Sequence, residues 1–441
     1  MITKYSSALR NGLSLIKPDK FVLQAAIFRC KRAMCSQAPN VQSESWEEER
    51  LPFYRPEQFY PVHIGELLNS KYRVVGKLGY GSYSTVWLCH EKSEKKYVAV
   101  KVLTNSLPER TLSGELGIYE HLSNLKTSHT GSAYIRGLYD TFDLLGQDGI
   151  HRCLVQPPMH MSLHELRMRS TSQRLDEFLF KQTLLCILRA LDFLHREANV
   201  VHTGMSSITA DRREYFLEMT YGVIDIKATN IMLSIDDKSI LEDFEKAEQQ
   251  SPSPKKVVDE NRTIYTSRRL RLPNDNLWGQ PVLCDLGQAR IGHAHRGLIQ
   301  PDIYRAPEVL FDMGWGHSAD IWNLGVMAWD IFEGRHLFSA LDEDQEYSPS
   351  HHVAEMVAFL GLPPLSFIQR SEETRHVFSE KGEWLGAGGV TIPDTSLERL
   401  EEYLSGNGQQ SFLQFIRSML QWIPGNRKTA KELLNDSWLN S

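Results

Sequence analysis

The run Tyr97-Val98-Ala99-Val100-Lys101-Val102-Leu103 reads as a buried apolar strand, yet it carries a lysine. An ammonium group on a buried strand is costly unless it meets an anion, so any fold of this chain has to bring one to Lys101. Glu115 is one candidate, in the helical pattern from Gly114 to Leu122, 14 residues after the lysine, with Glu120 as a fallback. Upstream, a strand-like run from Tyr72 to Leu78 enters Gly79-Tyr80-Gly81-Ser82-Tyr83-Ser84-Thr85-Val86, and a second strand continues to Cys89. Glycines at the first two positions let backbone approach a ligand without a side chain in the way. Alone this is equally a plain hairpin turn, because Ser84 stands where a third glycine would complete the phosphate-loop pattern.

Further elements follow in order. Cys153-Leu154-Val155 is strand-like and leads into Gln156-Pro157-Pro158-Met159, either a ligand-contacting hinge or a proline-rich turn with no ligand. Asp176 to Arg196 has the apolar spacing of an amphipathic helix, with Phe178, Leu184, Leu185, Ile187, Leu188, Leu191 and Leu194 on one side. It delivers the chain to Asn199-Val200-Val201-His202-Thr203. Later, Asp225, Lys227 and Asn230 have the spacing at which a base, a phosphate-contacting lysine and a magnesium ligand converge in phosphoryl transfer. Cys284-Asp285-Leu286-Gly287 supplies a metal-binding acid, and Tyr304-Arg305-Ala306-Pro307-Glu308 closes the segment after it. Each match alone is at chance level; five in the correct order are not.

On these motifs the chain resembles eukaryotic protein kinases over residues 72–438, and among them it is similar to the SR-protein kinases and their fungal relatives. The closer likeness rests on His202-Thr203, on Asp285-Leu286-Gly287, on the long insert between Asn230 and Asp285, and on the stretches Phe59 to Glu66 and Leu241 to Glu245. Asp320-Ile321-Trp322 resembles the helix that anchors the catalytic loop, Arg427 the arginine that pairs with Glu308, and Ser339 to Gln409 the insert of the wider kinase group.

The resemblance implies an α+β, bilobal fold: a small β-rich lobe over 72–159 and a mainly helical lobe over 160–438. It implies ATP held by Leu78, Gly79, Gly81, Val86, Ala99, Lys101 and Glu115, with the Pro157 carbonyl and the Met159 N–H on the base. It implies Mg2+ on Asn230 and Asp285, Asp225 and Lys227 as the catalytic pair, and serine or threonine of proteins, Arg/Ser-rich ones included, as substrate. A monomer in cytoplasm and nucleus is the matching expectation. No serine or threonine lies between Gly287 and Ala306, which removes the common phosphorylation switch, and Thr203 stands where an arginine would receive the loop phosphate. Constitutive competence is therefore expected, while Pro301, at a position often held by a threonine, leaves substrate register open.

Composition agrees with a globular enzyme: 441 residues, 41% hydrophobic, and six cysteines without close pairs. No apolar run approaches the roughly 20 residues of a transmembrane helix, and a net charge of -6 gives no global footprint for direct nucleic-acid binding. Residues 1–45 are basic and read either as a mitochondrial transit peptide or as a solvated tail. Residues 46–71 read as an extended lead-in, about 234–280 as a charged, spacer-like insertion, and Asp342-Glu343-Asp344 with Glu346 as an Arg-peptide docking run or a solvated face.

Residues 204–224, 21 in number, split the catalytic loop, and their removal restores His-Thr-Asp-Ile-Lys. Gly204-Met205-Ser206 can be encoded with a common fungal splice donor and Ile224-Asp225 with an acceptor, in frame, so the segment reads as an unspliced intron. Translated, it makes the chain a weak kinase or an ATP-binding scaffold, because Asp225 has to hold a hydroxyl within hydrogen-bond reach.

Overall fold

Strand residues from Tyr72 onward are buried on both faces, and what covers the second face sets the shape of the small lobe. The computed structural model describes residues 45–107, 109–203, 228–274 and 277–441. The basic segment 1–44, the interruption 204–224, and Asp225 and Lys227 lie outside the described residues. Six strands, Leu67–Leu68 (β1), Tyr72–Gly81 (β2), Ser84–Glu91 (β3), Lys96–Leu103 (β4), Asp140–Leu145 (β5) and Ile150–Gln156 (β6), form one sheet in the order β1-β2-β3-β4-β6-β5. Every neighbouring pair is antiparallel. Alternation puts Val74, Trp87, Val98, Val100, Val102 and Val155 into one apolar cluster, and leaves Ala99 and Lys101 of β4 on the opposite face.

Helix Glu109–Asn124 (α1) follows β4 and sends Ile118 and Tyr119 into the core of the large lobe. That lobe is built on Leu163–Met168 (α2) and Glu177–Arg196 (α3). Asp176 caps α3 by accepting from the Leu179 N–H, and the predicted apolar stripe is buried through Leu184, Ile187, Leu188, Leu191 and Leu194. Of the predicted stripe, Phe178 in the first turn is exposed and Leu185 is half-buried, so the buried part of that stripe begins beyond the first turn.

The short strand Val200–Val201 (β7) precedes the undescribed stretch, and Ile231–Ile235 (β8) follows it. The next segment corrects the sequence reading. The insertion at about 234–280 is not a solvated spacer: Ser239–Gln250 (α4) packs Ile240, Leu241 and Phe244 against Val75 and Leu88 of the sheet. Burial of such side chains contributes about 1.5–3 kcal/mol each. A Cβ at Gly76 would lie 2.9 Å from the Phe244 ring, so glycine on β2 is what lets the helix sit this close. A two-stranded hairpin, Lys255–Val257 (β9) with Thr263–Tyr265 (β10), completes the insertion, and Tyr265 joins the other face of the sheet.

The lead-in is corrected too. Residues 46–71 are part of the small lobe, since Phe59, Val62 and Leu68 are buried and β1 pairs with β2. Glu47 and Glu48 meet the fully buried Lys77 of β2, Glu49 meets Lys256 of β9 at 2.7 Å, and Glu47 accepts from Ser267 at 2.6 Å. Lead-in, sheet and insertion are thus bound together by charges that sequence order keeps far apart.

Beyond Trp278–Leu283 (β11), which pairs with β8, Arg290–Ile291 (β12) pairs with β7. Pro307–Leu310 (α5), His317–Glu333 (α6), Pro349–Leu360 (α7) and Gly406–Met419 (α8) fill the rest of the large lobe. Helix α6 is buried from Ala319 to Glu333 and forms its axis. Among the described residues no helix is long and apolar enough to cross a membrane.

Candidate active site

The β2–β3 hairpin carries the glycines expected over a nucleotide. Gly79 pairs with Val86 and Gly81 with Ser84, leaving Ser82-Tyr83 as the turn; Leu78 lies just before it on β2. A Cβ at Gly79 or Gly81 would meet no other part of the protein within 4 Å, so internal packing does not demand glycine at either place. Glycine at both places leaves the backbone open to close approach.

On β4, Lys101 lies opposite Val86 on one side and Leu154 on the other, with Ala99 opposite Leu88 and Gln156. Burial works against the Lys101 ammonium, but Glu115 of α1 and Asp285 outweigh it, and its pKa lies above the ordinary lysine value. The Glu115 carboxyl is itself pushed up, by burial first and then by the Asp285 charge, against the pull of Lys101. Both carboxylates flank Gly287, whose ideal Cβ position is 3.2 Å from Asp285 Oδ1 and 3.6 Å from Glu115 Oε2. Glu115 and Asp285 thus act on Lys101 electrostatically, with no ion pair within 4.0 Å to either among the described residues, and of the two glutamates Glu115 is the inward one: it is buried while Glu120 is exposed.

Asp285 takes a left-handed backbone, φ 64°, and accepts from the Gly287 N–H at 3.2 Å. Such a conformation costs a non-glycine residue of order 1 kcal/mol and persists where surroundings enforce it. Here the preceding Cys284 N–H is tied to the Asn230 carbonyl at 2.8 Å, which puts the two expected metal-binding residues side by side. Cys284 itself is buried, its thiol pushed up to about 11 mainly by burial.

Asp320 of α6 holds the described half of the catalytic loop. Its carboxylate accepts from the His202 and Thr203 N–H groups at 2.8 Å each and from His195 at 2.9 Å. Thr203, at φ 66°, donates its hydroxyl to the Gln288 carbonyl at 2.8 Å, tying the loop to the segment after Asp285. That segment is held at three more points. His295 bridges Trp315, the Trp315 indole donates to the Gly297 carbonyl, and Gln300 at φ 68° uses its side-chain amide to join the Ala306 N–H to the Ala319 carbonyl. Arg427 meets Glu308 through both guanidinium arms at 2.7 and 2.6 Å, fully buried, as the resemblance implied.

One expectation changes. The Pro157 carbonyl, anticipated as a base acceptor, receives two hydrogen bonds from Arg136, at 3.1 and 2.8 Å. No sequence pattern pointed to Arg136, because its partner is a backbone atom that only the fold brings near. Met159, the other hinge contact, packs on Met232, Val282 and Cys284. The catalytic candidates Asp225 and Lys227 lie outside the described residues, so the geometry brings together Lys101, Glu115, Asn230 and Asp285 without them.

Two lobes, a glycine hairpin, and a buried lysine between two acids at their junction define a phosphotransferase of the kinase class. Sequence comparison agrees: the protein kinase domain matches residues 72–205 and 276–439, and the chain belongs to the protein kinase family. The unmatched interval, 206–275, holds Asp225, Lys227 and Asn230. A serine/threonine protein kinase of Aspergillus fumigatus is 39% identical over 394 residues, covering 89% of this chain and 90% of that protein. The serine/threonine-protein kinase SRPK of Physarum polycephalum is 27% identical over 404 residues, covering 89% and 91%. SRSF protein kinase 3 of Mus musculus is 24% identical, covering 90% and 91%. A solved kinase-domain structure superposes with a TM-score of 0.60 at 22% identity, over 86% of this chain and 98% of that one. The protein is a serine/threonine protein kinase of bilobal α+β fold, similar to the SR-protein kinases.

Proposed function

We propose that the working protein transfers the γ-phosphoryl of ATP to serine or threonine in Arg/Ser-rich proteins, and that residues 204–224 are absent from it. The observation that carries the nucleotide reading is the convergence of Glu115 and Asp285 on Lys101 beneath a hairpin whose glycines the chain's own packing does not require. In this reading Gly79 and Gly81 cover the phosphates, Leu78, Val86, Ala99 and Met159 enclose the base, and Lys101, steadied by Glu115, contacts the phosphates. The oxygen donors of Asp285 and Asn230 are hard ligands of the kind Mg2+ takes, and the hydrogen bond from the Cys284 N–H to the Asn230 carbonyl supports reading the two residues as one site. Bound magnesium supplies neutralisation of charge developing on the transferred group. Asp225 orients and deprotonates the substrate hydroxyl, and Lys227 contacts the transferred phosphoryl. The exposed turn at Asp342 to Glu346, closed by Asp342 accepting from the Asp344 and Glu346 N–H groups, offers the acidic surface for an Arg-rich substrate.

Loop closure over 21 extra residues costs only about 2.7 kcal/mol plus a constant, so the fold tolerates them. Positioning does not, since an error of about 1 Å costs on the order of a hundredfold in rate. The full chain and a version lacking 204–224 should therefore differ at least about a hundredfold on one Arg/Ser-rich peptide. Equal rates would remove the reading that the segment disables the enzyme, and transcripts that all retain it would remove the intron reading. If ATP stabilises the full chain without phosphate transfer, that form is a nucleotide-binding scaffold. The compartment on this reading is cytoplasm and nucleus, checked with a fluorescent fusion.

A further inference from the structure

The Arg136 fork on Pro157 bears on which nucleotides the cleft takes. A backbone carbonyl has two lone pairs, and Arg136 addresses this one with Nε at 3.1 Å and Nη2 at 2.8 Å. The arm is fixed at its base, because the Arg136 N–H donates to the Leu283 carbonyl at 2.9 Å and Ile135 bridges Leu283. The Arg136 side chain is half-buried, and its bonds to the Pro157 carbonyl are part-buried. Neither Pro157 nor Pro158 has an N–H to offer. Gln156 is no substitute reader, since its amide already donates to the Tyr119 hydroxyl at 2.9 Å and the side chain is buried. What remains of the two expected hinge contacts is the Met159 N–H. An N–H donor there pairs with a purine ring nitrogen whether or not the ring carries an amine.

Resting on the nucleotide-site reading above, we infer that Arg136 is a specificity-setting residue. By occupying the Pro157 carbonyl it removes the acceptor for a purine 6-amino group, so the site binds purine nucleoside triphosphates without regard to that amine. Arg136 acts through the carbonyl and positions the hinge; it is not a catalytic residue.

The test is a calorimetric titration of the full chain, with Mg2+, using ATP and purine riboside 5′-triphosphate, which lacks only the amine. The two dissociation constants should agree within about twofold. Arg136→Leu frees the carbonyl, and ATP should then bind about five- to tenfold tighter than the analogue, the worth of one hydrogen bond. Arg136→Lys, with one donor in place of two, should fall between, which a merely structural role for the arginine does not predict. The wild-type comparison decides even where a variant fails to fold. ATP binding tenfold or more tighter than the analogue in the wild type overturns the inference alone, as does an unchanged ratio in a folded Arg136→Leu protein. If neither compound binds a folded chain, the nucleotide-site reading falls, and this inference with it.

Discussion

Glu333, at the last turn of α6, has a carboxyl pushed up to about 7 by burial and by the neighbouring Glu401 charge. The folded state keeps a proton there that the unfolded chain releases above its ordinary 4.5. Stability from this group is therefore present below about pH 4.5 and lost as pH rises to about 7. Glu333→Gln mimics the protonated form. The variant should match the wild type near pH 4.5 and exceed it by about 2–3 kcal/mol at pH 8, read from urea midpoints at both pH values. Lys101 was legible in sequence for the same reason that Glu333 matters here: a buried charge needs an explanation. Arg136 was not legible, since an arginine among mixed residues gives no sign that its target is a carbonyl.

At the scale of elements, α3 and the β2–β3 hairpin were readable because their signals are local: a cap and an apolar stripe for one, two glycines between strand-like runs for the other. The insertion was not. Its charges looked like solvation, but Glu245 meets Arg73 at 2.6 Å and Tyr97 at 2.5 Å, and Arg262 donates to the Phe59 carbonyl at 2.7 Å. Those partners are roughly 150–200 residues away in sequence, where no periodicity reaches. Phe244→Ala should cost about 3–5 kcal/mol and raise amide exchange across Ser239–Gln250 ahead of the large lobe. Removing Glu48 leaves the buried Lys77 with the weaker Glu47 contact at 3.6 Å, so Glu48→Ala should cost about 2–3 kcal/mol through Lys77. Adding Lys77→Met should recover most of that loss in the same melting experiment.

For the whole molecule, order of motifs carried the family and the two-lobed fold, while the interruption after Thr203 decided what could be said of the catalytic pair. The segment after Asp285 is fixed by Thr203, Trp315 and Gln300, with no serine or threonine between Gly287 and Ala306 to phosphorylate. Phosphatase treatment of the form lacking 204–224 should leave its activity unchanged; a tenfold loss would show that a phosphate orders the segment.

The acidic lead-in and the insertion also impose a schedule on synthesis. When β6 leaves the ribosome at Gln156, the sheet is complete in strands but lacks the cover supplied by Phe244 and the partner that Lys256 gives to Glu49. About a hundred more residues have to emerge first, on the order of ten seconds at ordinary elongation rates. Through that interval Val75 and Leu88 lack their apolar cover, so the small lobe finishes its core only after residues far beyond its last strand have been made.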